Sequence, residues 1–205
     1  MAFETNVFVN CPFDKPYQRL LRPILFCIIE LGLEPRIAVE RQNAAEPRIQ
    51  KIIELIEDSK FGIHDLSRLK AKKVGEFYRL NMPLELGLDL GCQRFKAGRW
   101  MEKKCLILEA ERHQYQAAIS DLAGSDIVAH GNNAGRVLVE VRNWLCQEAH
   151  LPAAGPNAFR GWYADFTAYT YAALQAENYS DADIRNLPVT AFIDRVKRWK
   201  PLPRP

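Results

Sequence analysis

Two carboxylates lie where chemistry could use them. "KFGIHDLSR" (60–68) is an apolar run that ends in Asp65, and "NMPLELGLDLG" (81–91) carries Glu85 near the start of a helix pattern. A strand-end aspartate and a glutamate early in the next helix can face one cleft. Such a pair suits glycosidic bond cleavage. That reaction passes through a state positive at the sugar ring, which a fixed carboxylate stabilises or attacks. A second polar group then orients the sugar hydroxyls or activates water. Glu85 suits the first role because a helix start is rigid. Asp65 and the Ser67 hydroxyl suit positioning or proton transfer.

Each residue also has a plainer reading. A glutamate in a first helical turn complements the helix dipole, and an aspartate after a strand caps turns. His64 falls on the opposite side of its strand from Asp65, so it reads as a packed or hydrogen-bonded histidine. Cys11 sits beside the cleft, where a small buried thiol is the default over a nucleophile. The stretch "RLKAKKVGEFYRLN" (68–81) sets Arg68, Lys70, Lys72, Lys73 and Arg79 against Glu76. It reads as a solvated loop or, more sharply, as a basic rim meeting the phosphates of a nucleotide. Neither GxGxxG nor GxxxxGK[ST] occurs, which removes the support for a dinucleotide fingerprint or a P-loop.

The elements that must position these residues alternate over residues 1–150. "NVFVN" (6–10) reads as a first strand ending at Asn10, followed by a helix with Asp14 as its cap. Pro23 should kink that helix or shift its start, and Gly32 should end it. "EPRIAVE" (34–40) reads as a second strand, and Ile49, Ile52, Ile53 and Ile56 mark a second helix. "KFGIHDLS" is the third strand and 82–95 the third helix, opened by Asn81 and Pro83. "KKCLILEAE" (103–111) and "SDIVAHG" (125–131) complete the strands, before an amphipathic helix on Val137, Leu138, Val141, Trp144 and Leu145. Strands separated by helices imply an α/β fold, a five-stranded parallel sheet with helices on both faces. "LPAAGP" (151–156) then leads into an aromatic-rich extension (151–205), helical around 159–177 and 181–199 with Ser180 as a cap, and ending in a basic, proline-rich tail. That extension is expected to cap the domain or a neighbouring subunit, its deletion altering assembly more than chemistry.

The 205 residues, 48% hydrophobic, can bury a substantial core, and the formal charge of +3 is too weak to point to a nucleic-acid binder. No apolar run reaches the roughly 18 residues that span a bilayer, so no membrane partner is expected. "MAFETNVFVN" reads as structure rather than as a secretion signal. Five cysteines at wide spacings, without CxxC, argue against a disulfide framework and a zinc site. A reducing cytoplasm is the expected location.

The order strand, "HDLSR", loop, "NMPLELGLDLG", strand resembles the nucleoside 2-deoxyribosyltransferase-like branch of the TIR-related superfamily. "VFVNCPFDKPY" and "ISDLAGSDIVAHG" are similar to its first binding loop and a late strand entry, so the resemblance covers about residues 5 to 148. It implies a flavodoxin-like sheet and cleavage or transfer at the N-glycosidic bond of a nucleoside, a nucleotide or NAD. It carries Glu85 onto the catalytic position and makes Asn10, Asp14, Asp65, Ser67 and Asn81 candidates for ribose or base contacts. It also implies a role in antiphage defence, a homo-oligomer, and a regulatory protein or nucleoprotein partner. "RLNMPLE" departs from the usual approach to the helix glutamate, which favours hydrolysis over deoxyribosyl transfer. No metal or bound cofactor is required, the nucleotide being substrate. The competing expectation is a non-catalytic nucleotide-sensing or interaction subunit, in which Glu85 is held in a salt bridge instead of lying open beside Asp65.

Overall fold

Among the described residues every strand runs in the same direction, because a helix or a long connection returns the chain before the next one starts. The structure, a computed structural model, describes residues 2–41, 43–68 and 80–199. Its strands are β1 (Asn6–Asn10), β2 (Glu34–Arg36), β3 (Phe61–Asp65), β4 (Lys104–Glu109) and β5 (Ile127–Ala129). They form one parallel sheet in the order β2-β1-β3-β4-β5. This is the expected flavodoxin-like α/β arrangement. From β1 the chain moves outward to β2, then back past β1 to β3, so the switch in strand order lies at the carboxyl ends of β1 and β3.

Alternation along the strands assigns each face. Val7 and Val9 of β1, and Phe61 and Ile63 of β3, pack with the helices α2 (Gln18–Glu30) and α5 (Ala134–Glu148). Phe8 points the other way, to Ile52, Leu55 and Ile56 of α3 (Arg48–Glu57) and to Leu88 and Cys92 of α4 (Asn81–Phe95). The short helix α1 (Ala2–Thr5) precedes β1. Helix α2 ends as expected at Gly32, whose φ of +75° suits a residue without Cβ. There Gly32 N–H donates to Ile29 O at 2.9 Å and Leu33 N–H to Ile28 O at 3.0 Å.

Three local expectations change. Helix α2 starts at Gln18 and runs through Pro23, so the proline does not set its start. Strand β2 stops at Arg36 because the Glu40 carboxylate turns back to accept the Ile37 N–H at 3.1 Å and pairs with Arg36 at 2.7 Å. The helix expected over 181–199 is two, α7 (Asp181–Arg185) and α8 (Val189–Arg198), since Pro188 between them cannot extend the first. Ser180 caps α7 with its hydroxyl accepting the Asp183 N–H at 3.2 Å.

The C-terminal helices join the main core. Phe159, Phe166 and Leu174 of α6 (Pro156–Ala176) and Phe192, Ile193 and Val196 of α8 are buried with residues of α2 and α5. Phe26 of α2 meets Tyr163, Phe166 and Trp199 at ring separations of 5.1, 5.4 and 5.8 Å. The extension thus caps the domain itself, and removing this layer would uncover the apolar face of α2. Among the described residues, no helix is long and apolar enough to cross a membrane.

Candidate active site at the carboxyl edge of the sheet

The last two residues of β3 build two polar clusters on opposite faces of the sheet. Asp65 shares its face with Phe61 and Ile63, toward α2 and α5, and is fully buried. Three donors serve it. The Tyr17 hydroxyl donates to Oδ2, His130 Nε2 lies 3.0 Å from the same oxygen, and the Ser67 N–H donates to Oδ1 at 2.7 Å. Burial, and then the charge of Asp65, push the Tyr17 phenol well above its ordinary value, so it remains a donor. The Asn132 N–H donates to His130 Nδ1 at 3.0 Å, which puts the imidazole proton on Nε2. Ser67 Oγ is 2.9 Å from that nitrogen. Serine and aspartate thus meet the same ring nitrogen, which is not the relay of a Ser-His-Asp triad. Asp65, expected as a catalytic group, accepts from these three donors and holds Tyr17, Ser67 and His130 in place.

His64 points to the other face. Asn10 donates its amide to His64 Nδ1 at 3.0 Å and to the Met82 carbonyl at 2.8 Å, and His64 Nε2 then donates to Asp89 Oδ2 at 2.8 Å. Lys103 Nζ sits 3.1 Å from Asp89 Oδ1 and donates to the carbonyls of Ile56, at 2.7 Å, and Ser59. Burial raises the Asp89 carboxyl, but His64 and Lys103 together outweigh it and hold the group below its usual range. Gly62 makes this possible, because a Cβ there would collide with Asp89 and with His64 Nε2. His64, Asp89 and Cys105 also have ligand atoms within 4.8 Å of one another. The Lys103 ammonium already occupies the carboxylate, and burial raises the Cys105 thiol well above its ordinary value, so this donor set suits an internal ion pair better than a metal.

Glu85 comes from α4, on the His64 side, one turn before Asp89. It is the fifth residue of its helix, so it lies past the first turn in which the sequence placed it. It is 5% exposed, and burial pushes its carboxyl up to about 7 against the pull of Arg48. Arg48, the first residue of α3, reaches it at 3.7 Å with a side chain 54% exposed. Asp65 and Glu85 therefore reach the carboxyl edge from opposite faces of the sheet. Between them lies Cys11, fully buried, its thiol raised well above its ordinary value by burial and then by Asp65, Glu85 and Asp14. A thiol so placed stays protonated and packs.

The other expected residues divide. Asn10 is buried, its carbonyl oxygen having no partner among the described residues. Asp14 caps the turn at Tyr17, accepting its N–H at 3.0 Å, and pairs with Arg68 at 2.8 Å. Asn81 is exposed at the start of α4. Lys70, Lys72, Lys73, Glu76 and Arg79 of the basic stretch, and the tail from Lys200, lie outside the described residues. On the Asp65 side a cavity of about 520 Å³ opens between Tyr17, Arg19, Leu20, Ser67, Arg68 and Asn132. Sequence reasoning missed His130, Tyr17, Arg19, Arg48 and Asn132. His130 carried a usable signal, since it follows β5 at the same edge at which Ser67 follows β3.

No protein-family profile, no curated protein and no solved structure matches the chain.

Proposed function

We propose that this protein is an N-glycosidase that cleaves the bond between base and sugar in a nucleotide such as NAD, or in a purine nucleoside or nucleotide. The observation that carries the reading is Glu85, a buried carboxyl group at the carboxyl edge of a parallel sheet, its pKa brought to about 7 by burial. The likeness of "HDLSR" and "NMPLELGLDLG" to the deoxyribosyltransferase-like branch supports the same residue, and with it a role in defence, a homo-oligomer and a regulatory partner.

In this reading the sugar lies across the ends of β1 and β3. The C1′–N bond breaks with its electron pair leaving on the base, and the Glu85 carboxylate stabilises the positive sugar carbon or bonds to it. Water supplies hydroxide to C1′ and a proton to the base or the solvent. Only ionised Glu85 serves, so base release rises as pH passes through about 7. Arg48 favours the ionised form.

One observation favours a second reading. Glu85 is 5% exposed and ion-paired to Arg48 at 3.7 Å, as a non-catalytic interaction subunit would have it, while a nucleotide sensor would use Glu85 to read ribose hydroxyls. Incubating the protein and Glu85→Gln with NAD and a panel of nucleosides and nucleotides, and separating free base by chromatography, decides between them. Base release lost in Glu85→Gln is the expected result. Release that survives the substitution overturns the assignment of Glu85, and nucleotide binding without release favours the sensor.

A further inference from the structure

The hydrogen bonds behind the cavity have a forced direction. The Asn132 N–H occupies His130 Nδ1, so His130 Nε2 is a donor toward both Asp65 and Ser67. Asp65 accepts from Tyr17, His130 and the Ser67 backbone, and the Ser67 hydroxyl hydrogen is taken up by neither partner. That hydroxyl lines the cavity with its proton available to a ligand. Beside it stand two guanidinium groups. Arg68 is held by Asp14 at 2.8 Å, which leaves its other donors to point elsewhere, and Arg19 makes no ion pair among the described residues. Among the described residues no carboxylate lines the cavity, and its remaining walls are Pro16, Leu20 and Ala110, which are apolar, with Tyr17 and Asn132. The buried Asp65 carboxylate already accepts from three donors.

We propose that this cavity is a phosphate subsite, in which Arg19, Arg68 and the Ser67 hydroxyl bind a phosphate group of the substrate nucleotide. Guanidinium donors with a hydroxyl match the acceptor oxygens of a phosphate, and bonds between ionised partners are the strong ones. The volume of about 520 Å³ takes a phosphate and part of a sugar. The second charged cavity, about 410 Å³ between β5 and α5, is a poorer match, because Glu109, Asp126 and Glu140 line it along with Arg112, His113 and Arg136. Phosphate binding here presupposes the nucleotide reading above for its substrate, yet it is measurable without turnover.

The test is calorimetric titration of the full chain with inorganic phosphate, adenosine 5′-monophosphate and adenosine. Inorganic phosphate and the monophosphate are expected to bind, the monophosphate more tightly than adenosine by at least about tenfold, or ~1.4 kcal/mol. Arg19→Ala, at an exposed position that packing does not need, is expected to weaken both phosphate ligands about tenfold and to leave adenosine unchanged. Ser67→Ala weakens them less, and Ser67→Thr, which keeps the hydroxyl, restores them. Arg112→Ala in the second cavity has no effect. Equal binding of adenosine and its monophosphate, or phosphate binding lost in Arg112→Ala and kept in Arg19→Ala, overturns the subsite. The glycosidase reading fails separately, by nucleotide binding without Glu85-dependent release of base.

Discussion

Two neighbouring residues, His64 and Asp65, begin two buried polar clusters that end differently. On the α3 and α4 face, every donor from Lys103 through Asp89 and His64 to Asn10 is consumed inside the protein, and only the Asn10 carbonyl oxygen is left over. On the α2 and α5 face, Asp65 accepts from three donors, but two of the residues that serve it, Tyr17 and Ser67, stand at a cavity wall, where the Ser67 hydroxyl and the guanidinium groups of Arg19 and Arg68 remain. The first cluster fixes α4 against the sheet, and with it Glu85 one turn away. The second presents donors. Burial alone does not distinguish a structural network from a binding one; the direction of the leftover hydrogen bonds does.

The largest expected effect lies in the closed cluster. Asp89→Ala leaves the Lys103 ammonium buried without its carboxylate, and should cost about 3–5 kcal/mol in urea unfolding. A loss below about 1 kcal/mol would mean that the carbonyls of Ile56 and Ser59 suffice, and the network would not be what anchors α4. Because the Asp89 carboxyl is held below its usual range, its stabilisation is present above the unfolded value and is lost as pH falls through the folded one. Asp89→Asn should therefore flatten the acid limb of the stability profile.

A smaller effect belongs to the open cluster. Tyr17→Phe takes one of three donors from Asp65 and should lower stability by about 1.5–3 kcal/mol, read as a drop in Tm. If it matched Asp89→Ala, the two clusters would be equally dependent on every partner and the contrast between them would fail.

The smallest concerns Glu85, which neither cluster satisfies. Its folded value of about 7 exceeds the unfolded carboxyl value of roughly 4.3. The stability this group contributes is complete below the unfolded value and is lost as pH rises through about 7. Glu85→Gln carries no charge, so it should stabilise the protein by ~1–2 kcal/mol at pH 8 and leave it unchanged near pH 4. A few degrees of Tm gained only on the alkaline side would identify a carboxylate kept under strain for function. Equal Tm values at both pH values would place Glu85 in ordinary solvent contact.

Much of the fold was legible because its signals are local. The apolar runs at 6–10, 61–65 and 104–109 are strands, the isoleucine spacing of 49–56 is a helix, and the period of two already put His64 and Asp65 on opposite faces. What sequence order does not carry is the face from which each carboxylate arrives. Asp65 and Glu85 do belong to a consecutive strand and helix, but the strand residue faces α2 while the helix lies behind it. His130 was read as the end of a strand, Tyr17 as a helix residue and Lys103 as strand flank. Each becomes informative only through a distant partner, His130 and Tyr17 through Asp65 at separations of 65 and 48, and Lys103 through Ile56 at 47.

The amino-acid order by itself determined the parallel sheet, most of its helices and the ends of β1 and β3, because backbone propensity and hydrophobic period act over a few neighbours. Which of those strand ends meet, which carboxylates are quenched and which donors remain for a ligand were decided only by the tertiary structure. Those properties depend on desolvation and on hydrogen-bond direction between distant segments, and neither quantity exists until the chain is folded.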